Sequence, residues 1–126
     1  MSLVLDAGAL IAVERSDRDA VALIKQELLH GRAPLTHGGV VGQVWRGGTG
    51  RQASLARLLP SLDIAPLDET LGRSAGMLLA RSRMNDVIDA ALVLLAEDGD
   101  LLLSSDSKDL HPLAAEANLH VDIVPV

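Results

Sequence analysis

Short apolar runs alternate with longer helical patterns along the whole chain, and this alternation restricts the possible folds more than any other feature. The apolar runs predict short strands at residues 3–5, 33–36, 64–67, 101–103 and 121–124. Apolar residues at helical spacing, together with capping residues, predict helices at 9–13, 17 or 19 to 30, 40–46, 52–59, 68–81, 86–96 and 106–117. The alternation favours a three-layer α/β/α sandwich, in which helices cover both faces of a central, mostly parallel sheet.

No linker, repeat or low-complexity tract interrupts this pattern, so we expect residues 1–126 to form a single domain. Leu, Ala and Val must supply the core, because Phe and Tyr are absent and Trp45 is the only aromatic residue. The absence of cysteine excludes disulfides and thiolate metal sites. We find neither a basic leader nor an apolar run of the roughly 18–20 residues that a membrane span requires. We therefore expect a soluble, cytoplasmic protein with no membrane partner.

The charges are unevenly distributed along the chain. The net charge of −6 argues against non-specific nucleic-acid binding as the main role. Residues 31–62 nevertheless contain four arginines and no acid, whereas acids dominate residues 84–122, where Lys108 is the only Lys or Arg. These segments predict either an anionic pocket with a basic rim or two ordinary solvated faces, and the charge pattern alone leaves both possibilities open.

Four carboxylates are predicted to meet at one edge of the sheet. Functional groups in parallel α/β sheets collect beyond the carboxyl ends of the strands. Asp6 ends the first strand, and Asp106 lies just beyond the strand at 101–103. Asp86 and Asp89 are three residues apart at the start of an apolar helix, so they share a helix face. If that helix begins at the same edge, all four belong to one pocket.

Carboxylates this close together repel one another and need a counter-ion. Mg²⁺ or Mn²⁺ is the natural choice, since both prefer oxygen ligands, and such sites serve metal-dependent nucleases. Asp6, Asp86 and Asp106 also each precede a helical pattern, where Asp is a preferred N-cap. Any one of them alone is better explained as a cap, so the prediction of a metal site depends on the whole set.

Four segments resemble one known family, the PIN domains, and within it the single-domain VapC-type toxins. They are residues 3–11 (LVLDAGALI), 40–47 (VVGQVWRG), 89–93 (DAALV) and 102–106 (LLSSD). The resemblance covers nearly the whole chain and implies a PIN-like fold. It also implies a Mg²⁺- or Mn²⁺-dependent endoribonuclease, the toxin of a VapBC-type toxin–antitoxin pair, with an RNA substrate, a cognate antitoxin protein and a homodimeric state.

The resemblance assigns roles to individual acids. Asp6, Asp89 and Asp106 match the first, third and fourth acids of the family pattern, which implies catalytic and metal-binding roles. Asp86 lies one helical turn before Asp89 and is an additional metal-ligand candidate. Asp109, three residues after Asp106, is a further candidate for the same pocket.

The chain departs from the family pattern at Gln43, where the family has a glutamate. An amide is neutral and a weaker metal ligand than a carboxylate, so metal affinity should fall unless Asp86 or Asp109 compensates. Ser105 and Thr36 are candidates to orient a water or a phosphate, although a surface hydroxyl is the simpler interpretation of each.

The remaining polar motifs are weaker. Arginines of the basic segment are candidates to contact an RNA backbone, namely Arg46, Arg51 and Arg57. Trp45 is interpreted as a core or dimer-interface anchor rather than a base-stacking platform. The four histidines lack metal-ligand spacing and are interpreted as surface or capping residues, and the glycine-rich run at 47–50 as a helix break.

Two other functions remain open at this point. Gln43 suggests a catalytically weakened or inactive PIN-like protein that acts through protein or RNA binding. Phosphatase or phosphotransfer chemistry on another Asp-bearing α/β scaffold would need a nucleophilic Asp beside a positioned Lys. Neither Lys25 nor Lys108 has an obvious placement for that role.

Overall fold

Five short strands form one sheet in which every neighbouring pair is parallel. The computed structural model describes all residues from Met1 to Val126. The strands are β1 (Leu3–Leu5), β2 (Leu35–His37), β3 (Asp63–Ala65), β4 (Leu101–Ser104) and β5 (Asp122–Pro125). Their order across the sheet is β3-β2-β1-β4-β5, so the mostly parallel sheet that we predicted is confirmed and is entirely parallel.

Seven α-helices connect and flank the strands. They are α1 (Ala7–Glu14), α2 (Arg18–Leu29), α3 (Gly38–Val44), α4 (Ala53–Leu58), α5 (Glu69–Ser82), α6 (Val87–Leu95) and α7 (Ser107–Glu116). Short 3-10 turns at Gly50–Gln52 and Leu59–Ser61 flank α4. None of the helices combines the length and apolar character needed to cross a bilayer.

The helices form two groups around the sheet, and the helices within each group pack against one another. In one group α1 contacts α2, α3 and α4, and in the other α5, α6 and α7 contact one another. The central strand β1 is buried along its whole length, and Ala90–Val93 of α6 have no exposed surface. The core consists of aliphatic side chains only, which agrees with the composition.

Every helix and strand boundary lies within two residues of its predicted position, and α3 shows how a two-residue difference arises. It was predicted to begin at Val40, but it begins at Gly38, because the buried His37 imidazole accepts a hydrogen bond from the Gly39 N–H and caps the helix. The preceding strand was predicted to begin at Ala33 but begins at Leu35. Pro34 has no N–H to donate to a neighbouring strand, so pairing starts after it.

The burial of α6 leads to a test of the core. Replacing Leu92, which has no exposed surface, in the variant Leu92→Ala should lower the free energy of unfolding by about 3 kcal/mol through lost burial and a residual cavity. Urea denaturation followed by circular dichroism measures this change. The control Leu29→Ala removes the same atoms from a residue that is 87% exposed and should have little effect. Equal losses in both variants would contradict the placement of α6.

Candidate functional site

The carboxyl ends of β1 and β4 form the point at which the chain reverses its direction across the sheet. From β1 the chain proceeds to β2 and β3 on one side, whereas β4 and β5 lie on the other side. Ligands of open parallel sheets bind in the crevice beside such a switch point. Asp6 follows β1 directly, and Asp106 lies two residues beyond the end of β4. The topology therefore brings these two predicted site residues to the same crevice.

Asp6 is almost completely buried, with 5% of its surface exposed, and both of its carboxylate oxygens are hydrogen-bonded. Its Oδ1 accepts from the Ala9 N–H at 2.8 Å, which caps α1. Its Oδ2 accepts from the Ser104 hydroxyl at 2.6 Å and from the Ser105 N–H at 3.2 Å. Asp6 is thus an N-cap and a site residue at once, so the two interpretations do not exclude each other.

Two small residues hold the loop after β4 against α1. The Ser104 hydroxyl, besides donating to Asp6, accepts from the Asp106 N–H at 2.8 Å. Gly8 lies so close to Ser105 that a Cβ atom at this position would overlap the Ser105 side chain. A residue without a side chain is therefore required at the first turn of α1. The role of Ser104 could not be predicted from the sequence, because it depends on a contact with Asp6, which lies far away in the chain.

The start of α6 brings two more acids into the crevice. Asp86 caps this helix, since its Oδ1 accepts from the Asp89 N–H at 3.0 Å. Asp89 is half-buried, and burial raises the pKa of its carboxyl to about 7, with further contributions from the negative charges of Asp86, Asp106, Asp109 and Asp6. Asp89 therefore holds its proton up to about neutral pH while no cation is bound.

Asp106 and Asp109 complete a cluster of carboxylates with Asp89. Loss of solvation, the charge of Asp109 and a hydrogen bond with the Asp109 carboxyl raise the pKa of Asp106. Although Asp106 occupies the N-cap position of α7, its side chain makes no capping hydrogen bond. One carboxylate oxygen from each of Asp89, Asp106 and Asp109 lies within 4.8 Å of the others. Mutual repulsion at this range makes the cluster a suitable set of ligands for a divalent cation.

A cavity of about 130 Å³ lies between these elements. This is room for a cation and a few waters, since each water occupies about 30 Å³ of the liquid. Polar groups dominate its lining, which comprises Asp6, Gln43, Asp86, Asp89, Ser105 and Asp106 beside Ala7, Gly8, Val40 and Ile88. Asp109 reaches the carboxylate cluster without lining this cavity. The structure therefore brings Asp6, Asp86, Asp89 and Asp106 together at one cavity.

The two hydroxyl candidates occupy different places. Ser105 is exposed and lines the cavity. Thr36 is completely buried, and its hydroxyl donates to the Leu5 carbonyl at 2.9 Å, so the interpretation of Thr36 as a surface hydroxyl is wrong. Its contact fixes the end of β1 immediately before Asp6. Gln43 lies on the exposed side of α3 and presents an amide to the cavity where a carboxylate was expected.

The three arginine candidates separate into two locations. Arg46 and Arg51 line a groove that shares Gln43 with the acidic cavity. Arg57 instead lines a different, larger cavity beside α2 and α4, so the structure does not bring it to the carboxylates. The basic segment is therefore only partly a rim of the acidic pocket.

His37 has one predicted role and one that could not be predicted from the sequence. It caps α3, as the capping interpretation allows, but it is also completely buried. Its Nδ1 accepts from Gly39, so its Nε2 carries the proton and donates to the Ile88 carbonyl at 2.9 Å. This bond attaches the first turn of α6, which contains Asp89, to the end of β2. Burial lowers the pKa of His37, which favours the neutral ring that this arrangement needs.

Comparison with solved structures shows which fold this is. The chain superposes on a chain of the crystal structure of VapBC2 from Rickettsia felis bound to a DNA fragment from their promoter, with a TM-score of 0.71. The match covers 98% of this chain and 99% of that chain at 12% sequence identity. No protein-family model and no curated protein matches the sequence. The likeness confirms the α/β fold that we expected, and at this identity it establishes the fold alone.

The raised pKa of Asp89 leads to a test of the site by stability. Between the ordinary carboxyl pKa of 3.8 and about 7, the folded protein binds more protons at Asp89 than the unfolded chain does. The contribution of Asp89 to the free energy of unfolding therefore falls as pH rises through this window. Asp89→Asn removes the titrating group, so we expect the variant to gain stability relative to the wild type as pH rises from 5 to about 8.

The measurement is urea denaturation in EDTA at several pH values. Asp19→Asn is the matched control, because Asp19 is an exposed acid in the first turn of α2. A stability difference between the wild type and Asp89→Asn that does not change with pH would contradict the proposed environment of Asp89.

Proposed function

We propose that this protein is a Mg²⁺- or Mn²⁺-dependent endoribonuclease, the toxin component of a VapBC-type toxin–antitoxin pair. The observation on which this depends is the convergence of Asp6, Asp89 and Asp106 at the switch point of the sheet. The fold shared with a chain of a VapBC2 complex supports the same conclusion. We assign the catalytic roles to these three acids and a supporting role in cation binding to Asp86 and Asp109.

The donor set fits a hard divalent cation. Every ionisable group that lines the cavity is a carboxylate, and Mg²⁺ and Mn²⁺ prefer oxygen ligands. When bound, such a cation acidifies a water and stabilises negative charge that develops on phosphate oxygens. The Asp89 carboxyl must give up its proton before it can act as a ligand, so we expect cation binding to release protons and to tighten as pH rises.

The other residues of the cavity would position the substrate. The Ser105 hydroxyl lies at the cavity wall, where it can donate to a phosphate oxygen. The Gln43 amide has two N–H donors, so it suits contact with a phosphate better than ligation of a cation. Asp6 and Ser104 hold the loop between β4 and α7, and therefore the position of Asp106.

The proposed function includes protein partners. We propose a cognate antitoxin for this chain, because the structural neighbour belongs to a VapBC2 complex. A homodimeric state remains a prediction from the family resemblance, and a cytoplasmic location remains a prediction from the sequence. Size-exclusion chromatography with light scattering tests the dimer, and a strictly monomeric protein would contradict it.

Gln43 favours a second candidate function, a PIN-like protein that has lost catalysis and acts by binding protein or RNA. Compared with the glutamate of the PIN-domain pattern, the Gln43 amide gives the cavity one negative charge fewer, which weakens cation binding. Calorimetric titration distinguishes the two candidates. Absence of Mn²⁺ binding at millimolar concentration would support the second and contradict the first.

Cleavage of structured RNA tests the leading proposal. The purified protein should cleave it with Mg²⁺ or Mn²⁺ and should not cleave it in EDTA. Asp106→Asn should reduce the rate by about 100-fold or more, a typical loss for a group that acts in the transition state. Asp63→Asn alters an exposed acid on the edge strand β3 and should leave the rate unchanged. Cleavage by Asp106→Asn at the rate of the wild type would contradict the catalytic role of Asp106.

Restoring the acid at position 43 tests how much the amide matters. Gln43→Glu adds a carboxylate to the cavity wall and should tighten Mn²⁺ binding by about tenfold, or about 1.4 kcal/mol. Calorimetry measures the affinity. If the wild type cleaves no RNA and Gln43→Glu does, the wild-type site is degenerate and the proposed activity is wrong for this chain.

A further inference from the structure

A groove of about 450 Å³ adjoins the acidic cavity and is lined by three arginines, Arg15, Arg46 and Arg51. Arg15 follows α1, Arg46 follows α3, and Arg51 lies in the 3-10 turn before α4. Three separate parts of the chain therefore contribute one cation each. Glu14 is the only acid in the lining.

One buried side chain fixes the shape of this groove. Gln52 is 9% exposed, and its Oε1 accepts from the N–H groups of Arg46 at 2.7 Å and Gly48 at 3.3 Å. Its Nε2 donates to the Val44 carbonyl at 2.7 Å and to Glu14 Oε1 at 2.9 Å. The loop between α3 and α4 is thus attached to the end of α1. The single acid of the groove is already engaged by an amide.

The three guanidinium groups remain available for an external anion. The arginines that form ion pairs are Arg32, Arg73 and Arg81, and none of these lines the groove. Arg46 Nη1 donates to the carbonyls of Gly42 and Trp45, which orients this guanidinium and leaves its other N–H groups free. Unpaired arginines in a concave surface are suited to phosphate oxygens.

Gln43 lines both the groove and the acidic cavity, so the two are neighbours along the surface of α3. A strand of nucleic acid with one phosphate at the acidic cavity would have its next phosphates in the groove. The only aromatic residue of the chain, Trp45, packs against Gly48 and does not line the groove. The groove therefore offers no aromatic side chain for base stacking, and its three arginines are best suited to the phosphates of the backbone.

We propose, on the basis of the function proposed above, that this groove binds the phosphate backbone of single-stranded RNA on one side of the cleavage site. Arg15, which the sequence analysis did not select, belongs to this surface together with Arg46 and Arg51. Recognition in the groove is independent of base sequence, because the contacts are made to phosphates.

Fluorescence anisotropy with a labelled, unstructured RNA of ten nucleotides tests the groove, in EDTA so that binding is separated from cleavage. Arg15→Ala and Arg51→Ala should each reduce the slope of log affinity against log salt by about 0.7, the value for one phosphate contact to a single strand. At about 50 mM salt this corresponds to roughly eightfold weaker binding. Arg46 is left unchanged, because it also donates to the carbonyls of Gly42 and Trp45 at the end of α3.

Arg18→Ala is the matched control, since it removes one exposed arginine from a different cavity with the same change in net charge. An equal loss of affinity in Arg18→Ala would overturn the proposal, as would unchanged binding in both groove variants. A single-stranded DNA of the same sequence should bind with equal affinity. A large preference for RNA over DNA, or for DNA over RNA, would contradict recognition through phosphates. Unchanged melting temperatures show that each variant is folded.

The same experiment separates the groove from the enzyme. Arginine-dependent RNA binding without any cleavage would support the proposed role of the groove and contradict the proposed endoribonuclease activity. Cleavage by the wild type with no effect of the groove variants on affinity would retain the endoribonuclease and reject the groove.

Discussion

The hydrogen bonds of the buried Asp6 carboxylate are the interaction on which the rest of the site depends. This one group connects the end of β1, the first turn of α1 and the loop after β4. A charge buried to this extent is tolerated only when its oxygens are satisfied, and here two N–H groups and one hydroxyl satisfy them. The contact joins residues almost a hundred positions apart in sequence. It therefore connects the loop after β4 to the start of α1 at the switch point, and it sets the distance between the two loops that form the crevice.

The carboxylates around Asp6 place opposite demands on stability and on function. Asp89, Asp106 and Asp109 raise one another's free energy when ionised, and the folded protein responds by retaining protons. A core of aliphatic side chains, centred on β1 and α6, offsets this repulsion. The hydrogen bond from His37 to the Ile88 carbonyl opposes a movement of the first turn of α6 that would relieve the repulsion. The mutual repulsion of these carboxylates favours the binding of a divalent cation.

Local patterns in the sequence were sufficient to predict the strand–helix order, the parallel sheet and the cap at Asp86. Strands, helices and caps depend on residues that are neighbours in the chain, and their alternation indicates a parallel sheet. The topology of such a sheet then predicts that the crevice lies at the carboxyl ends of its strands. The contacts of Ser104, His37 and Gln52 escaped prediction because each residue has one partner far away in sequence, namely Asp6, Ile88 and Glu14 respectively. Arg57 was grouped with the groove arginines by composition, whereas the turn of α4 directs it elsewhere. Asp6 and Asp86 proved to be caps as well as cavity residues, which no pattern of spacing can separate.

The packing of Trp45 against Gly48 has a practical consequence for work in solution. Because the chain contains no Tyr or Phe, its ultraviolet absorbance near 280 nm and its intrinsic emission come from this single indole. The indole lies at the end of α3, partly exposed, on the loop that Gln52 attaches to α1. Unlabelled protein therefore contains a spectroscopic reporter at one known place. Changes in its emission describe that loop, and no other residue of the chain contributes emission of this kind.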